Sequence, residues 1–260
     1  MADSTGVGAG ADAGSGGDAP LGDADVVVRA TDLSKSFGDV DVLERVSFEV
    51  PVAATTAVVG PNGSGKTTLA ELITGIEGPT GGSVEVVPGG ERPVGYLPQA
   101  PAFQPTASVR ETLEFYARLL SEPTDVDAAL DRVGLGAAAD RRVTALSGGM
   151  RRLLGVAVSL LGTPPLLVLD EPTSGLDPQM SRHVFDVVTR LAADGQSVLL
   201  TTHDLSRAAA ADHILVLSGG DVVLSGSPDA VVAETGADSL AGAFDDAVGG
   251  LDVARGGEDA

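Results

Sequence analysis

Apolar positions along this chain change texture three times, and each texture predicts a different kind of element. Short β-branched runs come first: VVVRA from Val26, VSFEV from Val46 and TTAVVG from Thr55, followed by VEVV from Val84 and VGYL from Val94. Runs of this length and composition predict strands. TLAELITGI, after the third run, has helical spacing. From Ser108 the period is helical throughout. SVRETLEFYARLL places Val109, Leu113, Tyr116 and Leu120 on one stripe, and DVDAALDRVGL and RRLLGVAVSLL give two further helices. LLVLD from Leu166 and SVLLTT from Ser197 are then apolar without alternation, as strands of a parallel sheet covered on both faces are. PQMSRHVFDVVTRLAADG lies between them as a helix, and HILVLSGGDVVLSG reads as a hairpin turning at Gly219 and Gly220. The expected fold is therefore α/β. A parallel sheet forms its core, an antiparallel β portion comes mainly from the N-terminal part, and a helical subdomain spans about residues 100–160.

Composition limits what this fold can do. The 260 residues suffice for one core-bearing domain, expected over residues 26–248. Residues 1–25, almost wholly Gly, Ala, Ser and Asp, and residues 249–260 carry too few large apolar side chains to offset ordering entropy and are expected to be disordered tails. No cysteine is present, which removes disulfides and thiolate metal sites. No apolar run is long enough for a membrane span, and the first residues lack the basic-then-apolar order of a secretory leader, so a cytoplasmic location is expected. The net charge of −21 is spread along the chain, and only two lysines, Lys35 and Lys66, stand beside fourteen arginines. This suits adaptation to concentrated salt, where self-repulsion is screened, with a partner-facing acidic surface as the alternative. Either way it disfavours nucleic-acid binding.

Against that near-absence of lysine, GPNGSGKTTL at Gly60–Leu69 is a candidate phosphate loop, G-x-x-x-x-G-K-[ST]. In the loop Gly60, Pro61, Asn62, Gly63, Ser64 and Gly65, the glycines would let backbone N–H groups curl around a phosphate, with the start of a helix aimed at the same anion. Lys66 would reach the β- and γ-phosphates, and the Thr67 hydroxyl, beside Thr68, would join the shell of a Mg²⁺ ion. The loop follows an apolar strand and precedes a helix, the context that separates it from a chance glycine-rich turn. LLVLDEP adds Asp170, placed for Mg²⁺, and Glu171, placed to polarise an attacking water. Two solvated acids at a strand end are the plain alternative, and the nearby phosphate loop is what argues against it. ALSGGMRRLL supplies a second glycine-bearing helix start, at Ser147, Gly148 and Gly149. Locally this reads as a Ser N-cap, yet it is also suited to an anion.

In this order the motifs resemble those of the nucleotide-binding subunits of ATP-binding cassette (ABC) transporters, and the resemblance covers about residues 26–248. It implies a P-loop NTPase fold whose LSGG signature closes over ATP held by a second subunit, so that two chains sandwich two ATP molecules head to tail. Phe37, in SKSFGDV, looks like the aromatic that stacks on adenine, where tyrosine is commoner. Gln99, in GYLPQ, resembles the glutamine that contacts Mg²⁺ and the attacking water. Asp177, in SGLDP, resembles the residue coupling the two sites across the dimer, and His203, in LLTTHD, the histidine that contacts the γ-phosphate. His183 and His213 are left as structural or surface residues. Met150 departs from the usual signature glutamine, while the phosphate-facing Ser147 and the Gly149 backbone remain. Arg151 and Arg152 either pair with nearby acids or solvate their helix, and Lys35 is either a nucleotide-side contact or a surface residue.

The implied activity is Mg²⁺-dependent ATP hydrolysis, in a homodimer or with a related chain. It would be coupled to separate integral membrane permease subunits on the inner face of the cell membrane, and exporter-like features are favoured. An importer subunit, a soluble ABC ATPase such as an Fe–S assembly factor, and a catalytically silent binding module are the alternatives. Glu171 and His203, both present, disfavour the last.

Overall fold

A computed structural model of the protein describes residues 25–86 and 92–255, which leaves the N-terminal stretch read as a tail outside the described residues apart from Asp25. Strands β1 (Val26–Phe37), β2 (Val40–Pro51) and β3 (Thr55–Val59) lead into helix α1 (Lys66–Thr74). β4 (Gly81–Val86) and β5 (Val94–Leu97) follow, then helices α2 (Val109–Ala117), α3 (Val126–Arg132) and α4 (Gly148–Leu160). The chain continues through β6 (Leu166–Leu169), α5 (Pro178–Ala193), β7 (Ser197–Thr202) and α6 (Leu205–Ala208). It finishes with β8 (His213–Ser218), β9 (Asp221–Gly226), α7 (Pro228–Thr235) and α8 (Leu240–Arg255).

Two sheets result. β2, β1 and β4 form an antiparallel sheet, and six strands form a second in the order β5-β6-β7-β3-β8-β9. In the second sheet every pairing is parallel except β8 with β9. Its unalternating apolar strands are explained by what covers them. Val58, Leu166, Val168, Leu199, Leu215 and Leu217 pack with the antiparallel sheet and α1. Their neighbours Val59, Leu167, Leu169, Val198, Leu200 and Ile214 pack with the helices. A strand with a period of two can be apolar throughout only when both faces are dry.

The structure differs from the pattern-based expectation in two places. The first two strands are twelve residues each, not five, because Phe37 pairs with Val40 across a tight turn at Gly38. Register shifts along the pair broke the alternation that would have revealed their length. At the other end α8 continues to Arg255, so the stretch expected as a tail from Gly249 is helical that far, with Val248 packed against the helical core. Residues 256–260 lie outside the described residues. The Gly219–Gly220 hairpin forms as expected, both glycines having positive φ and Ser218 pairing with Asp221.

Helix α4 sits close against β5, since a Cβ on Gly95 would overlap the Ser159 carbonyl oxygen. Leu167, fully buried between sheet and helices, tests this packing. Leu167→Ala is expected to cost roughly 2–5 kcal/mol in urea unfolding, whereas Leu119→Ala, at a side chain left 67% exposed, should change stability by no more than about 0.5 kcal/mol.

Candidate functional site

The site lies beyond the C-terminal ends of three adjacent strands, the usual location in an open parallel sheet. β7 runs between β3 and β6, with Val59 opposite Thr202 and Leu169 opposite Leu200. The loops after these strands carry Lys66, Asp170 with Glu171, and His203, so the strand order alone makes them neighbours.

After β3 the chain turns through Gly60–Gly65. A Cβ on Gly60 would overlap the Leu217 carbonyl, and Gly65 takes φ +99° as N-cap of α1, with its would-be Cβ 2.9 Å from Leu43 Cδ2. Neither position admits a larger residue without rearrangement. No acidic residue occupies the first turn of α1, so its positive end is left for an anion. Ser64 is buried, and its N–H donates to the Pro61 carbonyl at 3.3 Å. The Lys66 ammonium donates to the carbonyls of Gly60 (2.8 Å) and Pro61 (2.9 Å), closing the loop on itself. Burial pushes the Lys66 pKa down from the ordinary lysine value, and the nearby Glu171 and Asp170 carboxylates counter the shift.

Asp170, 1% exposed, is held by two hydroxyls. Thr67 Oγ1 donates to Oδ2 at 3.0 Å, and Thr201 Oγ1 donates to Oδ1. Thr201 also accepts the Glu171 N–H at 2.9 Å. That bond helps hold Glu171 at φ +46°, a strained conformation for a residue with a side chain. Glu171 is itself buried, and both its carboxylate oxygens face His203 Nδ1, at 3.0 and 3.1 Å. His203 Nε2 is thereby left to meet a ligand. Thr201 was not singled out from the sequence, although a hydroxyl inside an otherwise apolar strand, SVLLTT, signals a buried polar group that must find partners.

A groove of about 460 Å³ is lined by Phe37, Val42, Asn62, Gly63, Gly65, Lys66, Thr67, Thr68, Gln99 and Glu171. Half of the sequence-predicted residues therefore line one groove, with Asp170 and His203 bonded to two of its members, Thr67 and Glu171. Phe37 is 46% exposed, so it is not a core phenylalanine. Lys35 is neither a simple surface residue nor a lining residue of the groove. It is 7% exposed, bonds Glu77 Oε2 at 2.8 Å and the Gly78 carbonyl at 2.9 Å, and its ammonium lies 4.6 Å from the Phe37 ring centroid. Both lysines of the chain are thus buried, each against main-chain carbonyls.

The signature residues lie elsewhere. Ser147, Gly148 and Gly149 do not line the groove. Ser147 caps α4, its Oγ accepting the Met150 N–H at 3.2 Å, and no acid stands in the first turn. Asp177 caps α5, its Oδ1 accepting the N–H groups of Gln179 and Met180, each at 3.0 Å. The two arginines after Met150 differ. Arg151 donates to the Leu146 carbonyl at 3.2 Å. Arg152 is buried, and its hydrogen bonds go to main-chain carbonyls, not to an acid.

The donor set suits a hard divalent cation. Thr67, Asp170 and the Gln99 side chain offer only oxygen or amide groups, and no cluster of three or more acids, histidines or cysteines exists among the described residues. Mg²⁺ typically takes one or two protein oxygens and fills its shell with phosphate and water.

Among the described residues no helix is long and apolar enough to cross a membrane. The chain is 35% identical over 218 residues to the Nod factor export ATP-binding protein I of Rhizobium etli, covering 78% of this chain and 69% of that protein. Its fold superposes with a TM-score of 0.74 and 26% identity on a solved ATP-binding subunit of an ABC transporter, over 85% of this chain and 99% of that one. It likewise superposes, with a TM-score of 0.72 and 27% identity, on cbiO1 from Clostridium perfringens, part of the ABC transporter complex cbiONQ, over 81% and 92% of the two chains. Residues 43–174 match the ABC transporter family, and with the phosphate loop, the paired acids and the signature in place the chain belongs to that family as an ATP-binding subunit.

Proposed function

We propose that the protein hydrolyses ATP as a head-to-tail dimer and that this cycle drives export through separate membrane subunits. One observation carries the dimer. The groove holding the phosphate loop contains one glycine-bearing helix N-terminus free of acids, while another glycine-bearing one, at Ser147–Gly149, lies outside it. A second subunit completes the site with its own Ser147, Gly148, Gly149 and Asp177.

In the mechanism, Phe37 presents an exposed ring face for the adenine, and the N–H groups of Gly63–Thr68 receive the phosphates. Lys66 exchanges its loop carbonyls for the β- and γ-phosphate oxygens, and its charge balances what develops on the transferred phosphoryl group. Thr67, Asp170 and Gln99 would hold Mg²⁺, which when bound neutralises phosphate charge. Glu171 takes a proton from the water that attacks the γ-phosphorus in line, and ADP departs. His203 fixes the Glu171 carboxylate through Nδ1 and turns Nε2 toward the γ-phosphate.

The motion has an outlet. An apolar groove of about 280 Å³, lined in part by Phe103, Phe115 and Tyr116, follows Gln99 directly in the chain. It gathers two of the six phenylalanines and one of the two tyrosines, and Phe115 is 59% exposed. An exposed Phe115 beside the half-buried Phe103 and Tyr116, in an aromatic-poor chain, fits a docking site for a cytoplasmic helix of the permease. This would hold the chain at the inner face of the membrane. The name of the relative above, an export ATP-binding protein, supports the outward direction.

Glu171→Gln is expected to keep ATP binding, lower kcat by about 10²–10⁴-fold and prolong the closed dimer. Normal steady-state turnover in this variant would remove Glu171 from the role of base. Ser147→Arg should leave monomer nucleotide affinity within about twofold while abolishing ATP-driven dimerisation in sedimentation, because an exposed N-cap hydroxyl, on this reading facing the partner's phosphate, is replaced by a bulky cation. Phe115→Asp should release the chain from membrane fractions with its nucleotide affinity unchanged. Retention there would exclude the aromatic groove as the docking site.

A further inference from the structure

Arg152 stands on α4, five residues after Ser147, and is 9% exposed. A buried guanidinium normally has a carboxylate partner, because leaving water is costly for an ion. Here Nη1 donates to the carbonyls of Gln99 at 2.6 Å and Pro98 at 3.4 Å, and Nη2 donates to the carbonyl of Ser174 at 3.3 Å. Asp170 and Glu171 lie near enough for their charges to support the cation, while burial pulls its pKa below the usual arginine value. The planar fork therefore spans two separate segments of main chain. One carries Gln99 and the other leads into Asp177.

Packing around this fork leaves little slack. A Cβ on Gly149 would overlap the side chain of Met180, and one on Gly155 would overlap Leu97 Cδ1. A Cβ on Gly148 would come within 3.5 Å of Leu176 Cδ2. The start of α4 is thus seated directly on the Leu176–Met180 segment, and its middle on the end of β5.

We propose that Arg152 is a positioning residue that makes the signature helix, the Gln99 backbone and the Ser174–Asp177 turn one moving unit. Gln99 faces the chain's own nucleotide. Ser147 and Asp177 face the partner's, on the dimer reading given above, on which this inference rests. The arginine therefore links the filling of one site to the closing of the other.

The test uses the full chain with Arg152→Gln and Arg152→Lys. In the nucleotide-free protein, Arg152→Gln should speed amide hydrogen exchange about tenfold at Gln99–Ala100 and at Ser174–Leu176, with the sheet strands unchanged. On a Glu171→Gln background it should raise the ATP concentration needed for dimerisation about tenfold, while ADP affinity stays within about twofold. Arg152→Lys should restore one segment only, since a compact ammonium cannot span both. Unchanged exchange at both segments, or dimerisation at the parental ATP concentration, overturns the proposal. So does uniformly faster exchange in Arg152→Gln with full recovery in Arg152→Lys, which would indicate a merely packed cation. If the Glu171→Gln parent itself fails to dimerise with ATP, the dimer reading falls, and the exchange data still decide whether the clamp exists.

Discussion

Two threonine hydroxyls hold Asp170, and the arrangement around them depends on that contact. Thr67 arrives from the helix after β3 and Thr201 from the end of β7, so the carboxylate joins three strand ends without a direct ion pair. Hydroxyls satisfy a buried carboxylate while leaving its charge available, as the cation-binding role proposed for Asp170 requires. Thr201 also takes the Glu171 N–H, and thereby fixes the strained turn that aims Glu171 at His203. A single side chain inside a strand thus sets the positions of two acids.

The sheet that supports these contacts is dry on both faces, with two separate sets of side chains packed against it. Its interior positions therefore have no freedom to carry chemistry, which is pushed to the loops beyond the strand ends. The loops are in turn pinned to the scaffold. Gly60 touches the Leu217 carbonyl, Gly65 touches Leu43, and Glu171 is tied to Thr201. Pinning of this kind pre-organises groups that must meet a multiply charged ligand.

Charge usage follows the same division. The surface is acidic and nearly free of lysine, and both lysines are buried where an ammonium is matched by carbonyl oxygens. Lys66 needs a compact charge inside a tight loop, whereas Arg152 needs a fork wide enough to bridge two segments. Each residue type stands where its shape is required.

Local pattern was enough to read the fold class, the strand-loop-helix context of Lys66, the paired acids after β6 and the Gly219–Gly220 hairpin, because each depends on residues adjacent in sequence. Phosphate loops and apolar strands are signals of a few consecutive positions, so they survive without knowledge of the partner strands. The full length of β1 and β2 was hidden by register shifts, which matter only once the two strands pair. The paths of Arg152 to Gln99 and Ser174, of Thr201 to Asp170 and of Lys35 to Glu77 join residues 53, 22, 31 and 42 positions apart. No local pattern encodes such pairings. Tertiary structure decided them, because a buried polar group bonds whatever the folded chain brings within reach, and that is set by strand order and helix seating rather than by sequence neighbours.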